Sequence, residues 1–185
     1  MILPILAYGS PILKRKSKEI SLNHPNLDVL INNMFETMYS AHGVGLAAPQ
    51  IGQDIRLFII DTSPFCEQEE GFVSVKKIFI NANILQESGK EELFNEGCLS
   101  IPDIREDISR KPNVVIEYLD QNFNLCKESY TGINARVIKH EYDHVEGVLF
   151  IDRISSLRKR MIKSKLINIS KGKIDVDYRM SFPVK

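Results

Sequence analysis

Tryptophan is absent from this 185-residue chain, cysteine occurs three times and histidine four times. Lys+Arg and Asp+Glu both number 24, so no excess of either sign draws the whole chain toward nucleic acid or a lipid surface. No apolar run approaches the ~20 residues that a membrane span needs. Met1 to Tyr8 has no basic region followed by a hydrophobic stretch and a cleavage site. Three thiols do not build a disulfide framework. These absences predict a cytoplasmic, reduced chain with no membrane partner. With 43% hydrophobic residues the chain is long enough to bury a core. No repeat, low-complexity tract or linker divides it. Residues 1–185 are therefore expected to form a single domain, with 174–185 as a C-terminal tail.

Two of the four histidines fall within one pentapeptide, His140-Glu141-Tyr142-Asp143-His144. Residues four apart share a helical face, so both imidazoles can reach one divalent cation. Glu141 projects about 100° from His140, which brings it near a water on that cation without making it a ligand. Apolar Ala135, Ile138, Tyr142 and Val145 are spaced 3, 4 and 3, one stripe of a helix over Asn134 to Val145. Thr131 or Asn134 is the expected N-cap and Gly147 the expected stop.

Two imidazoles under-coordinate a metal. Cys98, in Glu96-Gly97-Cys98-Leu99-Ser100-Ile101-Pro102, is the third candidate ligand, and Gly97 and Pro102 beside it predict an irregular or bulged backbone. Cys66, in an acidic loop, and Cys126, in a strand-like run, compete with it. A further segment, Gly43-Val44-Gly45-Leu46-Ala47-Ala48-Pro49-Gln50, has glycines that allow close backbone approach and a Gln50 amide able to donate to an oxygen gaining charge. Read alone, it is a glycine turn before a strand beginning near Ile55. Its spacing matches no phosphate-binding loop.

Taken in order, GVGLAAPQ (43–50), EGCLS (96–100) and HEYDH (140–144) resemble the three motifs of the peptide deformylase family. The resemblance runs from about Leu3 to the helix after Arg153. It implies a metal-dependent hydrolase that removes the N-formyl group from N-formylmethionyl nascent peptides and releases formate. By the same resemblance Cys98, His140 and His144 are the metal ligands. Glu141 is the general acid/base for attack on the formyl carbon by water or hydroxide on the metal. Gln50 and the Leu99 N–H are the oxyanion donors. Fe²⁺ is the implied native metal, with Zn²⁺, Ni²⁺ or Co²⁺ able to occupy the site.

Val44, Ile133, Arg136 and Val137 are expected to flank the metal as the methionine pocket, with Arg136 at its rim, while the backbone at Val44, Gly45 and Gly97 pairs with an extended peptide. Arg105 aligns with a recurrent family arginine and is expected to support a carboxylate near the metal. His42 and Lys139 depart from the family pattern, which puts charge balance around the ligands in doubt. Two rival readings remain open at this point: a zinc peptidase, because HExxH also marks that class, and a structural zinc module closed by Cys66 or Cys126.

The remaining pattern predicts an α+β fold, with antiparallel sheets packed around a central helix carrying the HExxH motif, plus a C-terminal helix. Leu27, Leu30, Ile31, Met34 and Met38 mark a first helix. Strands are expected at 55–61, 78–85, 114–119 and 123–130, with a hairpin turn at 120–122 and a loop over 62–77. Arg153 to Lys173 holds eight basic residues and no acidic one, with Ile154, Leu157 and Met161 as its expected apolar stripe. That helix is a candidate ribosome contact, since phosphates favour Lys and Arg.

Overall fold

In chain order the elements are β1 (Ile5–Leu6), α1 (Leu27–Ser40), β2 (Gly45–Ala47), β3 (Leu57–Asp61), β4 (Lys76–Ser88) and β5 (Glu92–Cys98). They continue with β6 (Ile101–Arg110), β7 (Asn113–Leu119), β8 (Leu125–Thr131), α2 (Gly132–Val145), α3 (Ser156–Ser170) and β9 (Met180–Ser181). The structure, a computed structural model, describes residues 1–67 and 71–183. The predicted loop at 62–77 includes residues 68–70, outside the described residues. Its described part contains a 3₁₀ turn, Ser63–Glu67.

The main sheet is antiparallel, in the order β2-β3-β4-β7-β8. All five β3 residues are buried because the sheet is covered on both faces. Phe58 and Ile60 point to one side, where Phe79, Ile116 and Tyr118 meet Ala135, Ile138 and Val145 of α2. Leu57 and Ile59 point to the other, where Ile31, Met34 and Met38 of α1 pack. Each fully buried side chain of this size is worth about 1.5–3 kcal/mol, so the two helices are bound to the sheet mainly by their apolar faces.

A second sheet, the β5–β6 hairpin, was not apparent in the sequence. It packs Ile101, Ile104 and Ile108 against Leu149, Phe150 and the Ile162, Leu166 and Ile169 stripe of α3. This corrects the expected C-terminal stripe: Leu157 and Met161 are both 64% exposed. The expected tail folds back on the body, and β9 pairs in parallel with β1 in the register Ile5↔Met180. No helix of the described residues is long and apolar enough to cross a membrane.

Candidate metal centre

Helix α2 starts after Thr131, which is extended, and its chain turns away at Gly147 with φ +75°. A Cβ on Gly147 would come within 2.8 Å of the backbone of Lys14 and Arg15, so only glycine fits that exit. The predicted stripe understates how far the helix is buried: Lys139, Glu141, Asp143 and His144 are buried along with the apolar residues. Thr131 caps without a side-chain bond. Asn134 lies inside the helix, accepting from the Thr62 hydroxyl at 2.7 Å.

The turn from β5 to β6 carries Cys98 to this helix, with the ladder slipping between Gly97 and Cys98 as the flanking glycine predicted. One ligand atom from each of Cys98, His140 and His144 lies within 4.8 Å of the others, the one such group among the described residues. Cys98 Sγ is 3.3 Å from His144 Nε2. Tetrahedral ligands at 2.0–2.3 Å from an ion sit roughly 3.5 Å apart, so little movement would close them on a cation. Cys66 is exposed, near the Phe72 carbonyl, and Cys126 is half-buried on β8 near the Asn124 carbonyl. Neither joins the group, which removes them as a closing ligand.

Behind the donors lies a buried charge network. His140 Nδ1 donates to Glu96 Oε2 at 3.0 Å, leaving its Nε2 to face the group. Arg110 grips Glu96 with Nε and Nη2 at 2.8 and 2.9 Å, and donates from Nη1 to Asp143 at 2.7 Å. Arg153 binds Asp143 from the opposite side. Burial opposes ionisation of Glu96, but its bonds from His140 and Arg110 outweigh that and hold it well below the usual carboxylate range. Burial also opposes charge on His140, yet Cys98 and Glu96 raise its pKa well above the ordinary value. His144 is held low by burial and by His140.

Glu141 is buried, and its Oε2 has no hydrogen-bond partner. Burial pushes its pKa up to about 7, with His140 opposing. Gly45 makes this position possible, since a Cβ there would collide with Glu141 Oε1 and come 2.7 Å from its Cδ and Cγ. Gln50, on the short 3₁₀ turn Ala48–Ile51, accepts the Ala47 N–H at 2.8 Å through Oε1. Its amide nitrogen is thereby turned toward Cys98 Sγ, at 3.5 Å, and Ser100 Oγ, at 3.2 Å.

Residues 2–160 match the polypeptide deformylase family. The chain belongs to that family. It is 56% identical over 190 residues to the peptide deformylase of Christiangramia forsetii, covering 99% of this chain and 97% of that one. The peptide deformylase of Flavobacterium johnsoniae is 54% identical over 189 residues, 98% and 96% of the two chains. Among solved structures, a peptide deformylase from Legionella pneumophila superimposes with a TM-score of 0.81 at 34% identity, covering 94% of this chain and 98% of that one. The polypeptide deformylase family is metal-dependent, and the chain is an enzyme of that family, a hydrolase acting on the formyl amide.

The deformylase cleft opens over Cys98, His140 and Glu141 with a volume of about 830 Å³, and His144 lies buried behind them. Val44, Gly45, Gly97, Leu99, Arg136 and Val137 line it. Ile133 does not; one turn nearer the start of α2, it packs on the main core. Arg136, expected at the rim, is paired where it lines the cleft. Its guanidinium is buried, donating to Glu96 and to the Ile108 and Glu92 carbonyls, with its face 5.5 Å from the Phe94 ring. Arg105 has no carboxylate partner among the described residues: it is exposed and donates to the side chain and carbonyl of Asn95. Arg110 takes the role expected of Arg105. His42 stands at the mouth, 3.6 Å from Asp177, and Lys139 is buried against the Lys111 carbonyl and Glu87. Missed in the sequence were Glu96, Arg110, Asp143, Arg153 and the cleft-lining segment Asp175–Tyr178. The one available signal was Glu96, two residues before Cys98 and hence on the same strand face.

Proposed function

We propose that the chain removes the formyl group from N-formylmethionyl nascent peptides in the cytoplasm, releasing formate, at the Cys98–His140–His144 centre. The observation that carries this is a buried carboxylate, Glu141, with one free oxygen, lining an open cleft together with Cys98 and His140 of the three-donor group. A divalent ion held there supplies the Lewis acidity that makes water a nucleophile near neutral pH. The thiolate's softness suits Fe²⁺, the metal proposed as native, and also Zn²⁺, Ni²⁺ and Co²⁺.

Glu141 accepts the proton of the attacking water and returns it to the departing amine. Its pKa, raised to about 7 by burial, lets it both take up and give back a proton near neutral pH. Gln50 Nε2, held in orientation by Ala47, and the Leu99 N–H donate to the carbonyl oxygen as it gains charge. Val44 and Val137 supply an apolar wall for the methionine side chain. Backbone at Gly45 and Gly97 lines the cleft, where an extended peptide can pair with it. Arg158 and Lys159 of α3 are paired with Glu106 and Asp152, while Arg160, Lys163 and Lys165 are exposed and free to make the proposed ribosome contact.

The deciding experiment loads the protein with metal and follows formate release from a formyl-methionyl peptide. Free formate with the peptide bonds intact supports the reading, whereas peptide-bond cleavage would make the enzyme a peptidase. Glu141→Gln keeps the shape and removes the base. It is expected to retain metal and lose roughly 10²–10⁴ in kcat. A variant with metal bound and full turnover removes Glu141 from the reaction.

A further inference from the structure

The turn between β5 and β6 has to hold Leu99 still, yet the ladder is broken there between Gly97 and Cys98. Three groups from distant parts of the chain tether it. Gln50 Nε2 donates to Ser100 Oγ, the Tyr8 N–H donates to the Ser100 carbonyl at 2.8 Å, and the Tyr178 hydroxyl donates to the Leu99 carbonyl at 2.8 Å. The last tether comes from beyond residue 160, outside the match to the family. Its segment is fixed at both ends. At one end the Lys173 N–H closes on the Asn168 carbonyl at the end of α3. At the other, the Ile5 and Ala7 N–H groups bond the Arg179 and Ser181 carbonyls at 2.9 Å.

Leu99 is held from two directions. Its side chain lies so close over Gly43 that a Cβ there would come 2.8 Å from Cδ1, and its carbonyl is taken by Tyr178. With both fixed, rotation about the Leu99 backbone is restricted, and so is the direction of its N–H. Burial, and then the negative groups at Cys98, Asp103 and Asp177, push the Tyr178 hydroxyl well above its ordinary pKa and keep it a donor.

We propose that Tyr178 is a positioning residue for the reaction: its hydroxyl, by holding the Leu99 carbonyl, aims the Leu99 N–H at the substrate oxygen. This rests on the reading above, in which that N–H is an oxyanion donor. The test compares metal-loaded wild type, Tyr178→Phe and Tyr118→Phe. Tyr118 gives a buried tyrosine hydroxyl remote from the cleft, bonded to Glu128 at 2.7 Å.

Formate release, melting temperature and, in the cobalt-loaded form, visible absorption are read for each. Tyr178→Phe is expected to lower kcat on the order of 10- to 100-fold. Its KM should stay within about twofold, its cobalt spectrum unchanged and its melting temperature no more than about 2–4 °C below wild type. Tyr118→Phe is expected to shift the melting temperature similarly with kcat intact. If Tyr178→Phe matches wild type in kcat, or loses kcat only in step with a collapse in melting temperature or a changed cobalt spectrum, the positioning role is overturned and the deformylase reading stands. A wild-type protein that releases no formate overturns both.

Discussion

Glycine at position 45 is set by a carboxylate 96 residues away in sequence. The Glu141 side chain occupies the space that any Cβ on Gly45 would need, with Cδ and Cγ only 2.7 Å from that point. Gly45 sits within β2, and Glu141 is a buried helical side chain, so neither backbone can yield freely. Gly45→Ala should therefore displace Glu141. We expect about 1–3 kcal/mol of destabilisation from overpacking, together with a drop in kcat of tenfold or more as the carboxylate leaves its place. Unfolding in urea and formate release measure the two effects. An alanine variant that is stable and fully active would show that Glu141 has room to move. Residues of this kind were legible in the sequence where spacing alone did the work. His140 and His144 share a helix face for the reason 3.6 residues per turn dictates, and Cys98 stands out as a thiol beside a backbone-permissive glycine. Arg110 and Tyr178 were not legible, because their partners are brought near only by tertiary packing.

Between elements, the consequential joint is the one from β6 to α2. The β5–β6 hairpin escaped the sequence reading because its inward face alternates isoleucine with charge: Ile104, Glu106, Ile108 and Arg110 all point inward. Asp103, at φ +60°, also breaks the phase after Ile101. Glu106 and Arg110 read as exposed positions until their partners are known. One is Arg158 of α3; the others are Glu96 and Asp143. The α1, β3, β4 and β7 elements were legible because their inward faces are nearly all apolar, and α2 was legible through its Ala135, Ile138, Tyr142 and Val145 stripe. Arg110→Met tests the joint. It leaves Glu96 and Asp143 buried with less compensation, and breaking such a buried pair costs about 3–5 kcal/mol. Because Glu96 orients His140, metal affinity should fall roughly 10- to 100-fold as well. Chelator competition and thermal unfolding read these separately. An unchanged metal affinity in a folded variant would detach the network from the centre.

Across the whole molecule, acidic groups bind together segments that are far apart in the chain. Asp152 accepts from Lys14 near the N terminus and from the Leu149 N–H at 2.8 Å, and pairs with Lys159 of α3 at 3.6 Å. Glu128 of β8 takes Lys77 of β4 at 2.5 Å and the Tyr118 hydroxyl at 2.7 Å, while Asp61 takes Tyr39 of α1 at 2.6 Å. Burial opposes ionisation of each, and these bonds outweigh it, so all three carboxyls are held below their ordinary pKa. A carboxyl with a depressed folded pKa stabilises the fold above its unfolded value of about 4. That contribution is lost as the pH falls through the folded value. The contribution of these three carboxyls to the melting temperature should therefore be constant from pH 7 to about pH 5 and fall increasingly below about pH 4. Lys77→Met removes one partner of Glu128. It should lower the melting temperature most at neutral pH, with the difference from wild type shrinking as the pH falls, because protonated Glu128 no longer gains from the ammonium. Two parallel curves from pH 7 to pH 3 would mean that the Lys77–Glu128 pair contributes nothing through its charge.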